Sequence, residues 1–290
     1  MAVLLTGGAG AKTAQRIASL CDEVKIPYLY ASRSAPESPS ASNPPAVRFD
    51  WVKQETWGAP FEYAFPGGET IRAVYIIMPR VPEPEKHINA FIDFAVTKGA
   101  KRFVLMAGTT AQKGREGPGK VWEHMVEKGV EWAVCRPTWF MENLVEETYH
   151  LKTVREEGKI YTAIGDERVP FVSAVDIGAV AFVALTSPEA PNTDYRIVGP
   201  ENLTHDEVAA KLSKKLGRDI QHVKMTPEER VNHLKTSLGL NDHHANYMVW
   251  LEKQAAEGLE NHSNDVVERI TGQKPVSLES FVEQHHELMG

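Results

Sequence analysis

Ala2-Val3-Leu4-Leu5-Thr6-Gly7-Gly8-Ala9-Gly10-Ala11-Lys12-Thr13-Ala14-Gln15-Arg16-Ile17-Ala18-Ser19-Leu20 is the stretch that decides the fold. Its first residues form a short apolar run without charge, the composition of a strand buried on both faces of a parallel sheet. Three glycines follow, and then Ile17 and Leu20 recur at helical spacing. Strand, tight turn and helix in direct succession open a βαβ unit. Glycine tolerates positive φ and lets a ligand approach the backbone, while the free N–H groups of the new helix point into the turn. The stretch therefore reads as a cradle for a dinucleotide diphosphate, with Thr6, Gly7, Gly8, Gly10, Lys12 and Thr13 as its residues. Thr13 stands where a third glycine is expected, a departure that should loosen helix–strand packing without abolishing phosphate binding.

Working outward, 26–31 is the second strand and ends in Ser32-Arg33-Ser34. An acid at this place bonds a ribose 2′-hydroxyl, whereas an arginine accommodates a 2′-phosphate. The acid is absent and Arg33 is present, which points to NADP(H); the plain alternative is a solvated loop arginine. Residues 34–45, rich in Ser and Pro, read as a surface loop. The third strand, 46–49, is followed by Asp50-Trp51, placed where an adenine could lie, and the fourth, 71–78, stops at Pro79-Arg80. Residues 84–98 form an amphipathic helix with Ile88, Phe91, Ile92 and Ala95 on one stripe, closed by Gly99. The fifth strand, 101–106, ends in Ala107-Gly108-Thr109-Thr110; a helix around 120–128 leads to the sixth, 132–136, and Pro137. In an open parallel sheet, ligands bind beyond the carboxyl ends of the strands. Ser32, Arg33, Asp50, Trp51, Met78, Pro79, Ala107, Gly108, Lys120 and Pro137 are accordingly expected at the cofactor.

The rest of the chain sets the class: α/β, a Rossmann-like doubly wound parallel sheet with a smaller, mostly helical C-terminal lobe. The domains are expected at 1–148 and 149–290, with segments near 159–186 returning to the Rossmann core. An apolar helix at 176–186, a strand at 195–198, and helices opened by the capping boxes Thr204 to Glu207 and Thr226 to Glu229 are expected. Further helices near 245–256, 264–271 and 277–288 suggest a lid lobe. The net charge of −7 (32 Lys+Arg against 39 Asp+Glu) argues against nucleic acid as a partner. No apolar run approaches about eighteen residues and no leader precedes the first strand, so a membrane partner is not expected. Cys21 and Cys135 suit a reducing cytosol, and the eleven histidines show no metal-ligand spacing.

Thr6-Gly-Gly-Ala-Gly10, Lys101-Arg-Phe-Val104, Arg136-Pro-Thr-Trp-Phe-Met-Glu-Asn143 and Pro170-Phe-Val-Ser-Ala-Val-Asp-Ile177 together resemble the NmrA-like branch of the atypical short-chain dehydrogenases. The resemblance runs over nearly the whole chain. Gly119-Lys-Val-Trp-Glu123 followed by Val130-Glu-Trp-Ala-Val134 is most similar to the fungal ergot alkaloid dehydrogenases of the agroclavine and festuclavine type. That resemblance implies NADPH-dependent reduction of a cyclic iminium formed from an alkaloid aldehyde, with an indole alkaloid iminium as substrate. The chain departs from the pattern at Ala107 to Thr110, which is serine-rich in relatives.

Ketone-reducing short-chain dehydrogenases protonate the developing alkoxide with a tyrosine activated by a lysine four residues on. No such tyrosine precedes Lys113 or Lys120: the positions hold Thr109 and Glu116. An iminium carbon already carries positive charge, so hydride addition yields a neutral amine without a proton donor. Such a site needs placement of the carbon and groups that tolerate a cation. Thr109, Lys120, Trp122, Trp139, Phe140 and Glu142 are the pocket candidates, each with a plainer role. Trp139 and Phe140 serve equally as core packing, Glu142 as a helix cap, and Lys120 as a surface residue. Two other functions fit the same residues: a dinucleotide-sensing regulator without turnover, and a cofactor-bound cyclase or isomerase without redox chemistry.

Overall fold

The computed structural model describes residues 1–35, 44–147 and 149–289. Most of the 34–45 loop, and Thr148 at the expected domain boundary, lie outside the described residues. The strands are β1 Ala2–Thr6, β2 Tyr28–Ser32, β3 Ala46–Arg48, β4 Ile71–Ile77, β5 Arg102–Met106, β6 Glu131–Pro137, β7 Lys159–Thr162, β8 Thr193–Ile197 and β9 Gln221–Lys224. The helices are α1 Lys12–Val24, α2 Ala59–Glu62, α3 Pro84–Thr97, α4 Pro118–Lys128, α5 Leu151–Glu157, α6 Ala174–Thr186, α7 His205–Leu216, α8 Pro227–Thr236, α9 Asp242–Ala256, α10 Val266–Thr271 and α11 Leu278–Met289.

The chain divides into two compact units, Met1–Pro137 with Val175–Arg196, and Thr138–Ala174 with Ile197–Gly290. The boundary falls at the end of β6 rather than at 148. Thr138 donates its N–H to Ile197 O, and isolated bridges pair Phe140 with Val172 and Val169 with Leu203, so 138–174 folds with the late segments. The returning segment is 175–196, which keeps the later part of the expected 159–186; residues 159–174 stay with the second unit, where β7 pairs with β9 in a parallel two-stranded sheet. The short strand expected before α6 is reduced to those isolated bridges.

The first unit carries a seven-stranded sheet in the order β3-β2-β1-β4-β5-β6-β8, in which the pairs from β3 through β6 are all parallel. The reversal of order beside β1 is the topological switch point of a doubly wound sheet. β1 is completely buried, as its uncharged run requires. α3 buries Ile88, Phe91, Ile92 and Ala95, and Phe91 receives Phe49, Trp51 and Trp57 edge-on. Arg102, nearly buried, pairs with Glu131 at 2.7 Å and gives Nη1 to the carbonyl of Ser187 at 2.5 Å just past the end of α6. A cation there satisfies carbonyls left orphaned at a helix C-terminus.

The second unit packs α5, α7 and α11 around a core that includes Met141, Phe171, Leu212 and Phe281. Both capping boxes form as the sequence indicates: Thr204 with Glu207 and Thr226 with Glu229 each exchange side-chain and backbone hydrogen bonds. Among the described residues, no helix is long and apolar enough to cross a membrane, and no group of His, Cys, Asp and Glu is placed to hold a metal ion.

Candidate functional site

Thr6, at the end of β1, donates its hydroxyl to Tyr75 O and accepts from the Ile77 N–H, both at 2.9 Å. This side chain is wholly buried and locks the tips of β1 and β4 together, so it shapes the turn from beneath. The chain then turns through Gly7 at φ 90° and Gly8 at φ 73°, where an L side chain is strained. A Cβ on Gly7 would lie 2.9 Å from Ile77 Cδ1, and one on Gly8 would lie 2.8 Å from Ser32 Oγ. Gly10 differs: its φ is ordinary, and a Cβ there would meet nothing within 4 Å. Among the described residues nothing requires glycine at that place. α1 begins without a capping side chain and without an acid in its first turn, so the positive end of its dipole is left for an anion. Lys12 is exposed at that first turn.

Thr13 corrects its sequence reading. It is buried and accepts the Tyr75 hydroxyl at 3.0 Å, which ties α1 to the sheet instead of loosening it. The close-approach glycine is Gly178 on α6, where a Cβ would come within 2.8 Å of Thr13 O. The Thr13 side chain thus belongs to the packing of α1 on β4.

A cavity of about 480 Å³ lies beyond the carboxyl ends of β1, β2, β3 and β4, within the size of small-molecule sites. It brings together Gly7, Ser32, Arg33, Asp50, Trp51, Met78 and Pro79, which are far apart in sequence. Arg33 is exposed, and the Ser32 and Ser34 hydroxyls beside it share a hydrogen bond at 2.9 Å. Asp50 turns its carboxylate to the Val52 N–H at 3.1 Å and its carbonyl to the Trp57 indole at 3.2 Å. Trp51 packs edge-on against Phe49 and Phe91 with centroids 5.0 and 5.3 Å away, and only 7% of the residue's surface is uncovered. Arg80, just past the fourth strand at a tip the sequence places by the crevice, lines the same cavity, as does Ser34.

At the tip of β5, Ala107 donates its N–H to Cys135 O at 2.8 Å and Thr109 donates to Pro137 O at 3.2 Å. Arg136 holds the same tip, with Nη2 on Thr109 O at 2.6 Å and Nη1 on Asp194 at 2.7 Å. Gly108, like Gly10, has an ordinary φ and open space where a Cβ would stand. Lys120 pairs with Glu123 at 3.0 Å on the exposed side of α4. Trp122 is corrected from pocket candidate to core: it is nearly buried, packs on Trp132 at 5.9 Å, and lies under the Arg136 guanidinium at 5.8 Å.

The remaining candidates belong to the second unit. Trp139 is half-buried and meets Tyr149 with centroids 6.1 Å apart, and Phe140 forms the bridge to Val172. Glu142 is buried, accepts the Ser173 hydroxyl at 3.0 Å, and takes the N–H of Ala174, the first residue of α6, on both oxygens at 3.0 Å. It is a cap for that amide, not for its own short turn. The same unit hides a polar cluster that the sequence did not announce. Arg230 and Glu252 pair at 3.0 Å with both side chains fully buried, and Glu252 also accepts the Tyr149 hydroxyl at 2.8 Å and the Ala163 N–H at 2.7 Å. His150 and His205 lie beside them, and burial holds both imidazoles below their usual range, His205 at about 3.

The NmrA-like family matches residues 69–282 of this chain. Agroclavine dehydrogenase of Claviceps fusiformis is 37% identical, covering 97% of this chain and 96% of the relative. Festuclavine synthase II of Penicillium roqueforti is 38% identical, with 95% of each chain covered. Among solved structures, the triphenylmethane reductase of Citrobacter sp. complexed with NADP(H) superposes with a TM-score of 0.79 at 16% identity, covering 98% of this chain and 99% of the other. The last comparison speaks to the fold.

Proposed function

This chain belongs to the NmrA-like family, and we propose that it is an NADPH-dependent reductase of a cyclic iminium of the clavine alkaloid type. The carrying observation is the cavity at the switch point, where Gly7, Ser32, Arg33, Asp50, Trp51 and Arg80 meet beyond the carboxyl ends of four strands. Relatives named agroclavine dehydrogenase and festuclavine synthase support an oxidoreductase working on clavine chemistry. A reduced nicotinamide dinucleotide, when bound, supplies the hydride.

The chain's own residues do the rest. The free amides of the glycine turn and of the start of α1 would hold a diphosphate, and Arg33 beside Ser32 and Ser34 would hold a ribose 2′-phosphate. No acid stands at the end of β2 to favour a free 2′-hydroxyl. Arg136 fixes the β5 tip through Thr109 O, so the chain beyond Gly108 keeps its place while substrate is bound. Tyr75 on β4 lies beneath the glycine turn, but its hydroxyl is fully buried, committed to Thr13, and raised by burial far above the range of a proton donor. Reduction of an iminium carbon ends in a neutral amine and needs no such donor. The test is NADPH consumption with chanoclavine-I aldehyde in the presence of an amine or a thiol. Turnover is expected; no turnover across a panel of cyclic iminiums rejects the reading.

A further inference from the structure

The cavity at the switch point holds two guanidinium groups from different strand tips. Arg33 follows β2, and Arg80 follows β4 after Pro79. Both are exposed, and among the described residues neither has an ion-pair partner. One carboxylate, Asp50, lines the same cavity. Asp50 turns its carboxylate to the Val52 amide, and Glu83, three residues beyond Arg80, is paired with Lys86. Two guanidinium groups against one carboxylate, Asp50, leave the charge lining the cavity net positive among the described residues, which favours an anion placed beside the arginines. Arg80 and Val81 are also flanked by Pro79 and Pro82, each with its φ fixed, so the arginine is presented on a short segment with little freedom to lose on binding.

We infer that Arg33 and Arg80 together form a two-cation clamp for a dianionic phosphomonoester, the 2′-phosphate of the adenosine half of the cofactor. The inference rests on the NADPH reading above and adds a residue to it. A phosphomonoester carries about −1.5 to −2 charges at neutral pH, with its second ionisation near pH 6, so one arginine leaves half of that charge unmatched. Two guanidinium forks offer enough donors for its three terminal oxygens. The clamp therefore favours the dianion, and affinity for the 2′-phosphate rises as pH increases through about 6.

Calorimetric titration with 2′,5′-ADP and with 5′-AMP tests this without any catalysis. Wild type is expected to prefer 2′,5′-ADP. Arg80→Ala is expected to weaken 2′,5′-ADP by about tenfold or more, the scale of a lost charged hydrogen bond, while changing 5′-AMP less than about twofold. Arg80→Lys, which keeps the charge and loses the fork, should fall between. The unchanged 5′-AMP affinity is the internal check that the variant is folded. A wild-type preference that survives intact in Arg80→Ala overturns the clamp and leaves Arg33 as the 2′-phosphate residue. A wild type that binds both fragments equally removes the NADPH preference itself, and the clamp with it.

Discussion

Glycine at position 8 and glycine at position 10 are the same residue for opposite reasons. Gly8 is held by the protein, since its φ of 73° and the 2.8 Å approach to Ser32 Oγ leave no room for an L side chain. Gly10 is under no such constraint. Gly8→Ala is therefore expected to cost about 1–3 kcal/mol of stability, the scale of a non-glycine residue forced into strained backbone. Gly10→Ala is expected to leave the melting temperature nearly unchanged and to weaken dinucleotide binding. Thermal melts alongside nucleotide titrations separate the two, and a Gly10→Ala variant that binds like wild type would remove the ligand-based reason for that glycine. Much of this scale was legible, because glycines after a strand, Arg33 and Asp50-Trp51 fall where the strand-tip rule puts them. Thr6 and Thr13 were not legible: each side chain faces another element, and its hydrogen bond to Tyr75 or Ile77 spans more than sixty residues. Trp122 failed for the same reason, since Trp132 and Arg136 decide which way it faces.

At the scale of elements, the signals that are local in sequence carried through. α3 shows its apolar stripe, and α7 and α8 start at their capping boxes. β7 and β9 escaped because Lys-Ile-Tyr-Thr and Gln-His-Val-Lys are too short and too polar to read as strands, and their pairing is made 62 residues apart, as at Lys159 with Gln221. The buried cluster of His150, His205, Tyr149, Arg230 and Glu252, contributed by the segment before α5 and by α7, α8 and α9, yields a prediction at this scale. His150 and His205 are neutral in the folded unit and titrate near pH 6.5 when unfolded. The unfolded chain therefore binds more protons below pH 6.5. The contribution is complete above that pH and is lost as pH falls toward about 3, where His205 protonates in the folded state too. The slope is up to about 1.4 kcal/mol per pH unit for each histidine. Chemical denaturation between about pH 6.5 and 5, a window above most carboxylate titrations, should show this loss, and His205→Gln should make it shallower. A profile flat over that window in the wild type would contradict the burial of neutral imidazoles.

Over the whole molecule, a net charge of −7 contrasts with one cavity lined by two arginines and a single carboxylate, so the proposed anion site rests on that cavity and not on the overall charge. The parallel sheet supplies that cavity by reversing its strand order beside β1, and the glycine turn and arginines finish it. The fold class followed from the opening strand, turn and helix. The division of the chain did not, because the bonds that assign 138–174 to the second unit join it to residues near 197 and 203. The most direct test of the central claim is hydride delivery traced by isotope. With NADPH deuterated at the transferable position and the cyclic iminium that chanoclavine-I aldehyde forms in the presence of an amine or a thiol, mass spectrometry of the product should show one deuterium at the former iminium carbon. Product formed without the label would contradict the account.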